Sequence, residues 1–143
     1  MIKVVVGPQG SGKTSKMVED LNVHAENDLD NVVCIERGKR LNGLVNYKVR
    51  LVDIDEYPTL GFRELGSFIA GMLAKDYDIT HIYIDSIYKV AGSDSEEELI
   101  EFLEYLEPFT NERGVTVETS YSGNPHQVNE ALAKYVSVHE QVY

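Results

Sequence analysis

Gly7-Pro8-Gln9-Gly10-Ser11-Gly12-Lys13-Thr14 is the stretch on which the reading of this chain turns. It is spelled G-x-x-x-x-G-K-T, a pattern that binds phosphate largely through its backbone. Ahead of it runs the β-branched, strand-like Ile2-Lys3-Val4-Val5-Val6, and a helical pattern follows. Strand, loop and helix in that order are the context the pattern requires. Its glycines let main-chain N–H groups turn inward around phosphate oxygens with no Cβ in the way. The helix behind them aims its positive end at the same anion. Lys13 is then expected on the β- and γ-phosphates and Thr14 on Mg2+. Gly7, Gln9, Gly10, Ser11, Gly12, Lys13, Thr14 and Ser15 are the expected nucleotide contacts. The competing reading is a Gly-rich turn with a chance lysine.

Outward from the loop, six strand-like runs alternate with four helical patterns. The strands are expected at 2–6, 31–36, 47–55, 81–85, 115–119 and 135–142. The first helix, 13–25, aligns Met17, Leu21 and Ala25. The second, 61–75, aligns Leu65, Phe68, Ile69, Met72 and Leu73 at helical spacing. The third, 95–107, aligns Leu99, Phe102, Leu103 and Leu106; Ser95 with Glu98 makes a capping box, and Pro108 is expected to end it. The fourth, 125–134, aligns Val128, Ala131 and Leu132, with Tyr135 just beyond. Such alternation predicts βαβ units: a three-layer α/β/α sandwich with a mostly parallel sheet. Residues 1–143 read as one domain, long enough to bury about two-thirds of the unfolded surface.

With 43% hydrophobic and 26% charged residues, composition is that of a globular fold. No apolar run is long enough to span a membrane, and no secretory signal pattern opens the chain. Cys34, the sole cysteine, lies in Val32-Val33-Cys34-Ile35 and reads as a small buried hydrophobe. Without an internal disulfide, a cytoplasmic setting is expected. A net charge of −11 opposes wholesale binding to nucleic acid or anionic membranes. The four histidines are scattered and show no metal-ligand spacing along the chain. The third helix carries Asp94, Glu96, Glu97, Glu98, Glu101, Glu104 and Glu107. That array reads as a solvated face whose first acids suit the helix dipole. A docking surface for a basic partner is the alternative.

Ligands of an open α/β sheet sit at the carboxyl ends of its strands. There the second strand delivers Glu36. The run His81-Ile82-Tyr83-Ile84-Asp85 delivers Asp85, and Val115-Thr116-Val117-Glu118-Thr119 delivers Thr119 and Ser120. Asp85 suits the Mg2+ side of a phosphate site, directly or through water; its alternative is to cap a turn. Leu51-Val52-Asp53-Ile54-Asp55-Glu56 is a rival, but Arg50 and Asp53 mark it as half-exposed, so Asp85 is preferred. Glu36 is the candidate to polarise a water against the γ-phosphate. Pairing with Arg37 or Lys39 is its plainer role. Arg37, Lys39 and Arg40 form the densest basic cluster; it can touch phosphate or nucleic acid, or simply be a solvated loop.

This order of motifs resembles the RecA-like branch of the P-loop ATPases. The resemblance rests on the P-loop, on an apolar strand ending in Glu36, on Ile82-Tyr83-Ile84-Asp85-Ser86-Ile87, and on a strand ending in Thr119-Ser120. It implies Mg2+-dependent ATP hydrolysis, with Lys13 and Thr14 on phosphates and metal, Asp85 on the metal side and Glu36 activating water. The chain departs from that branch in having no long loop after Thr119-Ser120, no accessory N-terminal domain and no assignable arginine finger among candidates such as Arg63 and Arg113. Three functions fit these residues: an ATPase coupled to assembly or nucleic-acid handling, a nucleoside- or nucleotide-directed kinase, and a nucleotide-binding regulator with little hydrolysis. Self-association or a partner protein fits the first and third. A GTPase is disfavoured, since no N-K-x-D or D-x-x-G run is present.

Overall fold

The runs Val32–Glu36 and His81–Ile84 are buried at nearly every position, and helices cover both of their faces. The computed structural model describes residues 1–138. Strands β1 (Ile2–Gly7), β2 (Val32–Glu36), β3 (Arg50–Asp53), β4 (His81–Ile84), β5 (Thr116–Ser122) and β6 (Val136–Val138) form one sheet in the order β3-β2-β4-β5-β1-β6. Every pairing among the described residues is parallel. Helices α1 (Lys13–Ala25), α2 (Gly61–Lys75), α3 (Ile87–Ala91), α4 (Glu96–Arg113) and α5 (Glu130–Ala133) supply the connections.

The core falls into two clusters, one on each side of the sheet. Val32, Cys34 and Tyr83 pack with Met17, Leu21 and Ala25 of α1. Their strand neighbours Val33, Ile35, Ile82 and Ile84 pack the other way, with Leu65 and Ile69 of α2 and Leu99 and Leu103 of α4. Each such buried aliphatic side chain contributes about 1.5–3 kcal/mol. The crossovers after β1 and β4 therefore leave on opposite faces. With β5 between them, β1 and β4 mark the point where open α/β sheets place ligands, at the carboxyl ends of their strands. No described helix is long and apolar enough to cross a membrane.

Several expected boundaries move. Helix α4 does not stop at Pro108 but runs on to Arg113. Proline removes the N–H that would reach the carbonyl of Glu104, yet both residues face solvent, where water can serve that carbonyl. The extra turn is held by buried Thr110, by Phe109 against the core, and by the Arg113 guanidinium 3.7 Å from the Phe109 ring centre. Gly114, at φ 69°, then ends the helix. The strand expected at 47–55 narrows to Arg50–Asp53, because Asp53 accepts from the Asp55 N–H and starts a 3-10 turn over Ile54–Glu56. The last helix shrinks to Glu130–Ala133. Asn124 turns the chain first, accepting from the His126 N–H, and Asn129 caps the helix by accepting from the Ala131 N–H. Of the strand expected at 135–142, Val136–Val138 is formed and residues 139–142 lie outside the described residues.

Candidate functional site

The loop between β1 and α1 turns on two glycines in the left-handed region, Gly10 at φ 79° and Gly12 at φ 88°. Other residues would carry a cost of about 1–2 kcal/mol each in that conformation. Gly12 is also the N-cap of α1 and brings no capping side chain, so the first N–H groups of the helix face outward as donors for an anion. Within the loop, Ser11 is buried and its N–H donates to the Pro8 carbonyl at 3.2 Å.

Lys13 folds back over this loop. Its ammonium group donates to the carbonyls of Gly7 (3.0 Å) and Pro8 (2.9 Å) and to the Ser122 hydroxyl (3.3 Å). Desolvation pulls its pKa below the ordinary lysine value, and the charge of Asp85 pulls the other way. Thr14 lies one residue on, and its hydroxyl donates to Asp85 Oδ1 at 3.0 Å. This bond bridges two crossovers that share no sequence neighbourhood. It brings the hydroxyl and carboxylate expected on Mg2+ to hydrogen-bonding distance of each other.

Asp85 follows the last residue of β4 and is 5% exposed, with its N–H bonded to the Ile35 carbonyl at 3.0 Å. Next comes Ser86 at φ 62°, the non-glycine residue with positive φ among those described. Its N–H donates to the Ser120 hydroxyl at 3.3 Å, so β5 braces the turn that holds Asp85. Thr119, by contrast, donates to the Ile84 carbonyl at 2.7 Å and serves the sheet interior. Ser122 was not anticipated. Pairing opposite Gly7 carries β5 to that residue, three positions past the expected end. No periodicity announces this, since the register is set by β1.

Glu36 is buried at the end of β2, and its carboxylate accepts from the N–H groups of Arg40 and Leu41 at 3.1–3.3 Å. Burial raises its pKa above the ordinary glutamate value; the two backbone bonds oppose this, and Asp85 and Asp53 add to it. A carboxyl that holds its proton more tightly when folded contributes stability that is fully present at low pH. That contribution is lost as pH rises from about 4.3 through the raised folded value. Glu36→Gln is expected to flatten this loss, as measured by urea unfolding across pH 4 to 7.

The basic cluster divides. Arg37 donates to the carbonyls of Lys89 and Val90 and pairs with Asp55, tying the end of β2 to α3 and the 3-10 turn. Asp53 accepts from the Gly38 N–H at 2.8 Å. The rival acidic pair is thus engaged in holding the 37–41 loop, while Lys39 and Arg40 are exposed. A polar cavity of about 240 Å³ lies beside Glu36, lined by Lys39, Asn42, Asp53, Glu56 and Tyr57. A larger groove of about 760 Å³ runs between α2 and α4, past Phe62, Arg63, Glu98, Phe102 and Tyr105; none of the residues expected on phosphate line it.

The arrangement can take a phosphate chain on the helix start and Lys13, and a divalent ion beside Thr14 and Asp85. Neither a protein-family model nor a curated protein matches the chain.

Proposed function

We propose that this chain is a P-loop NTPase domain of the RecA-like type, binding ATP with Mg2+ and hydrolysing it to drive an assembly or nucleic-acid step. The hydrogen bond from Thr14 to Asp85 carries the reading. A chance Gly-rich turn gives no reason for its first helical hydroxyl to meet a buried carboxylate 71 residues away. Three further features support it: the paired left-handed glycines, an ammonium group poised over the loop, and β5 presenting Ser120 and Ser122 between the two crossovers. When bound, Mg2+ would neutralise phosphate charge, and Thr14 and Asp85 would hold it. Lys13 would exchange its carbonyl acceptors for phosphate oxygens.

Glu36 decides between brisk and slow turnover. Its carboxylate is occupied by the amides of Arg40 and Leu41, which favours a nucleotide-binding regulator that hydrolyses slowly. For the ATPase reading, the 37–41 loop must release or share that carboxylate when nucleotide arrives. Steady-state phosphate release tests this. In Glu36→Gln, a fall in kcat of about 100-fold or more with ATP affinity kept marks a general base. An unchanged rate marks the slow regulator. Label transferred from ATP to a nucleoside instead of to free phosphate would mark a kinase.

A further inference from the structure

The sheet's amino edge carries a second cluster of chemistry, and it is independent of the nucleotide reading. His24 lies in the last turn of α1, Asp30 precedes β2, and His81 opens β4. His24 and Asp30 are six residues apart and His81 is distant in sequence, yet one ligand atom from each lies within 4.8 Å of the other two. Asp30 serves both rings: Oδ2 is 3.0 Å from His24 Nδ1, and Oδ1 is 3.8 Å from His81 Nδ1. The imidazoles stack, with centres 4.1 Å apart and planes inclined by 29°.

We infer that His24, Asp30 and His81 form a binding site for a divalent cation of the zinc class. Two imidazoles and a carboxylate are ligands that such ions favour, and Mg2+ does not. Tetrahedral bonds of about 2.0–2.1 Å put neighbouring ligand atoms about 3.3 Å apart. The present spacings reach beyond that, and the stacked rings must turn about their side-chain torsions before a nitrogen of each faces one ion. The three groups stand on rigid supports. The Asn31 carbonyl accepts from the N–H groups of Thr80 and His81, and the Asn31 N–H donates to the Thr80 hydroxyl at 2.9 Å, fixing Asp30 against His81. That hydroxyl also lies 2.9 Å from His81 Nδ1, a contact that an ion bound at this nitrogen would displace.

The electrostatic setting suits a cation. Asp20 accepts from the Tyr83 hydroxyl at 2.7 Å, and the Tyr83 ring stacks on His81. Glu118 is close enough to feel both Asp20 and His24, and half-exposed Lys3 offsets it in part at 3.5 Å. Three strand residues lie between His81 and Asp85, four steps of the usual rise or roughly 13 Å, so the two sites do not share ligands.

Calorimetric titration of the untagged chain with Zn2+ at pH 7.5, and a parallel Co2+ titration followed by visible absorption, test the inference. One ion per chain is expected with Kd below about 100 μM, weakened at least tenfold by His24→Gln or Asp30→Asn. Circular dichroism of each variant verifies its fold; His24, half-exposed at a helix end, is the safer of the two. Asp85→Asn and His126→Ala are expected to bind Zn2+ as the unchanged chain does. Weaker binding than 100 μM, or affinity and Co2+ spectra indifferent to His24→Gln and Asp30→Asn, would overturn the site.

Discussion

Replacing Lys13 by Ala is expected to weaken ATP binding about 100-fold while leaving the fold in place. Charge-assisted hydrogen bonds contribute roughly 1.5–3 kcal/mol each, and about 2.8 kcal/mol is two decades in Kd. The fold has little to lose. The acceptors of Lys13 are the Gly7 and Pro8 carbonyls and the Ser122 hydroxyl, at the mouth of the loop, where water can take its place. Unfolding free energy is therefore expected to change by less than about 1 kcal/mol. Calorimetry with ATP and Mg2+, alongside urea melts, measures both quantities. Equal ATP affinity in Lys13→Ala would remove the nucleotide site from this loop. Lost affinity together with a collapsed melt would mean that Lys13 acts on the fold.

Asp85→Asn is the second large effect. Affinity for ATP without Mg2+ is expected to hold or improve slightly, since a negative charge near the phosphates is gone. The gain in affinity that Mg2+ confers is expected to vanish, and turnover to fall by about 100- to 1,000-fold, the scale of losing one electrostatic partner of the transition state. Thr14→Ala should share the loss of Mg2+ dependence. Because the two side chains touch at 3.0 Å, their effects should not add: a double-mutant cycle is expected to give a coupling of about 0.5–3 kcal/mol. Additive losses would mean that hydroxyl and carboxylate do not share a metal.

How much of this was legible along the chain depends on how far each interaction reaches. The strand alternation in Ile82-Tyr83-Ile84 and the helical spacing of Leu65, Ile69 and Leu73 are local signals of burial, and they placed the layers correctly. The turn between β1 and α1 is equally local, because its glycines answer to their own backbone angles. What escaped depends on distant partners. Helix α4 passes Pro108 because tertiary contacts of Phe109 and Thr110 outweigh a hydrogen bond lost on the solvent side. Helix α3 has five residues, too few to display a period. Ser122 becomes a partner of Lys13 only because β5 pairs with β1 as far as Gly7. Histidines at 24 and 81 looked scattered until the α1 crossover and the start of β4 set them ring against ring.

The tether on Lys13 has a bearing on which anions can lodge there. Any newcomer must outcompete two carbonyls and a hydroxyl already hydrogen-bonded to the ammonium head. On the proposed reading, an anion seated at the start of α1 meets both that head and the helix's first amides. A polyanionic tail long enough to bridge the two gains from each at once. Releasing the ammonium group from its three acceptors is thus a cost that every anion seated there must offset.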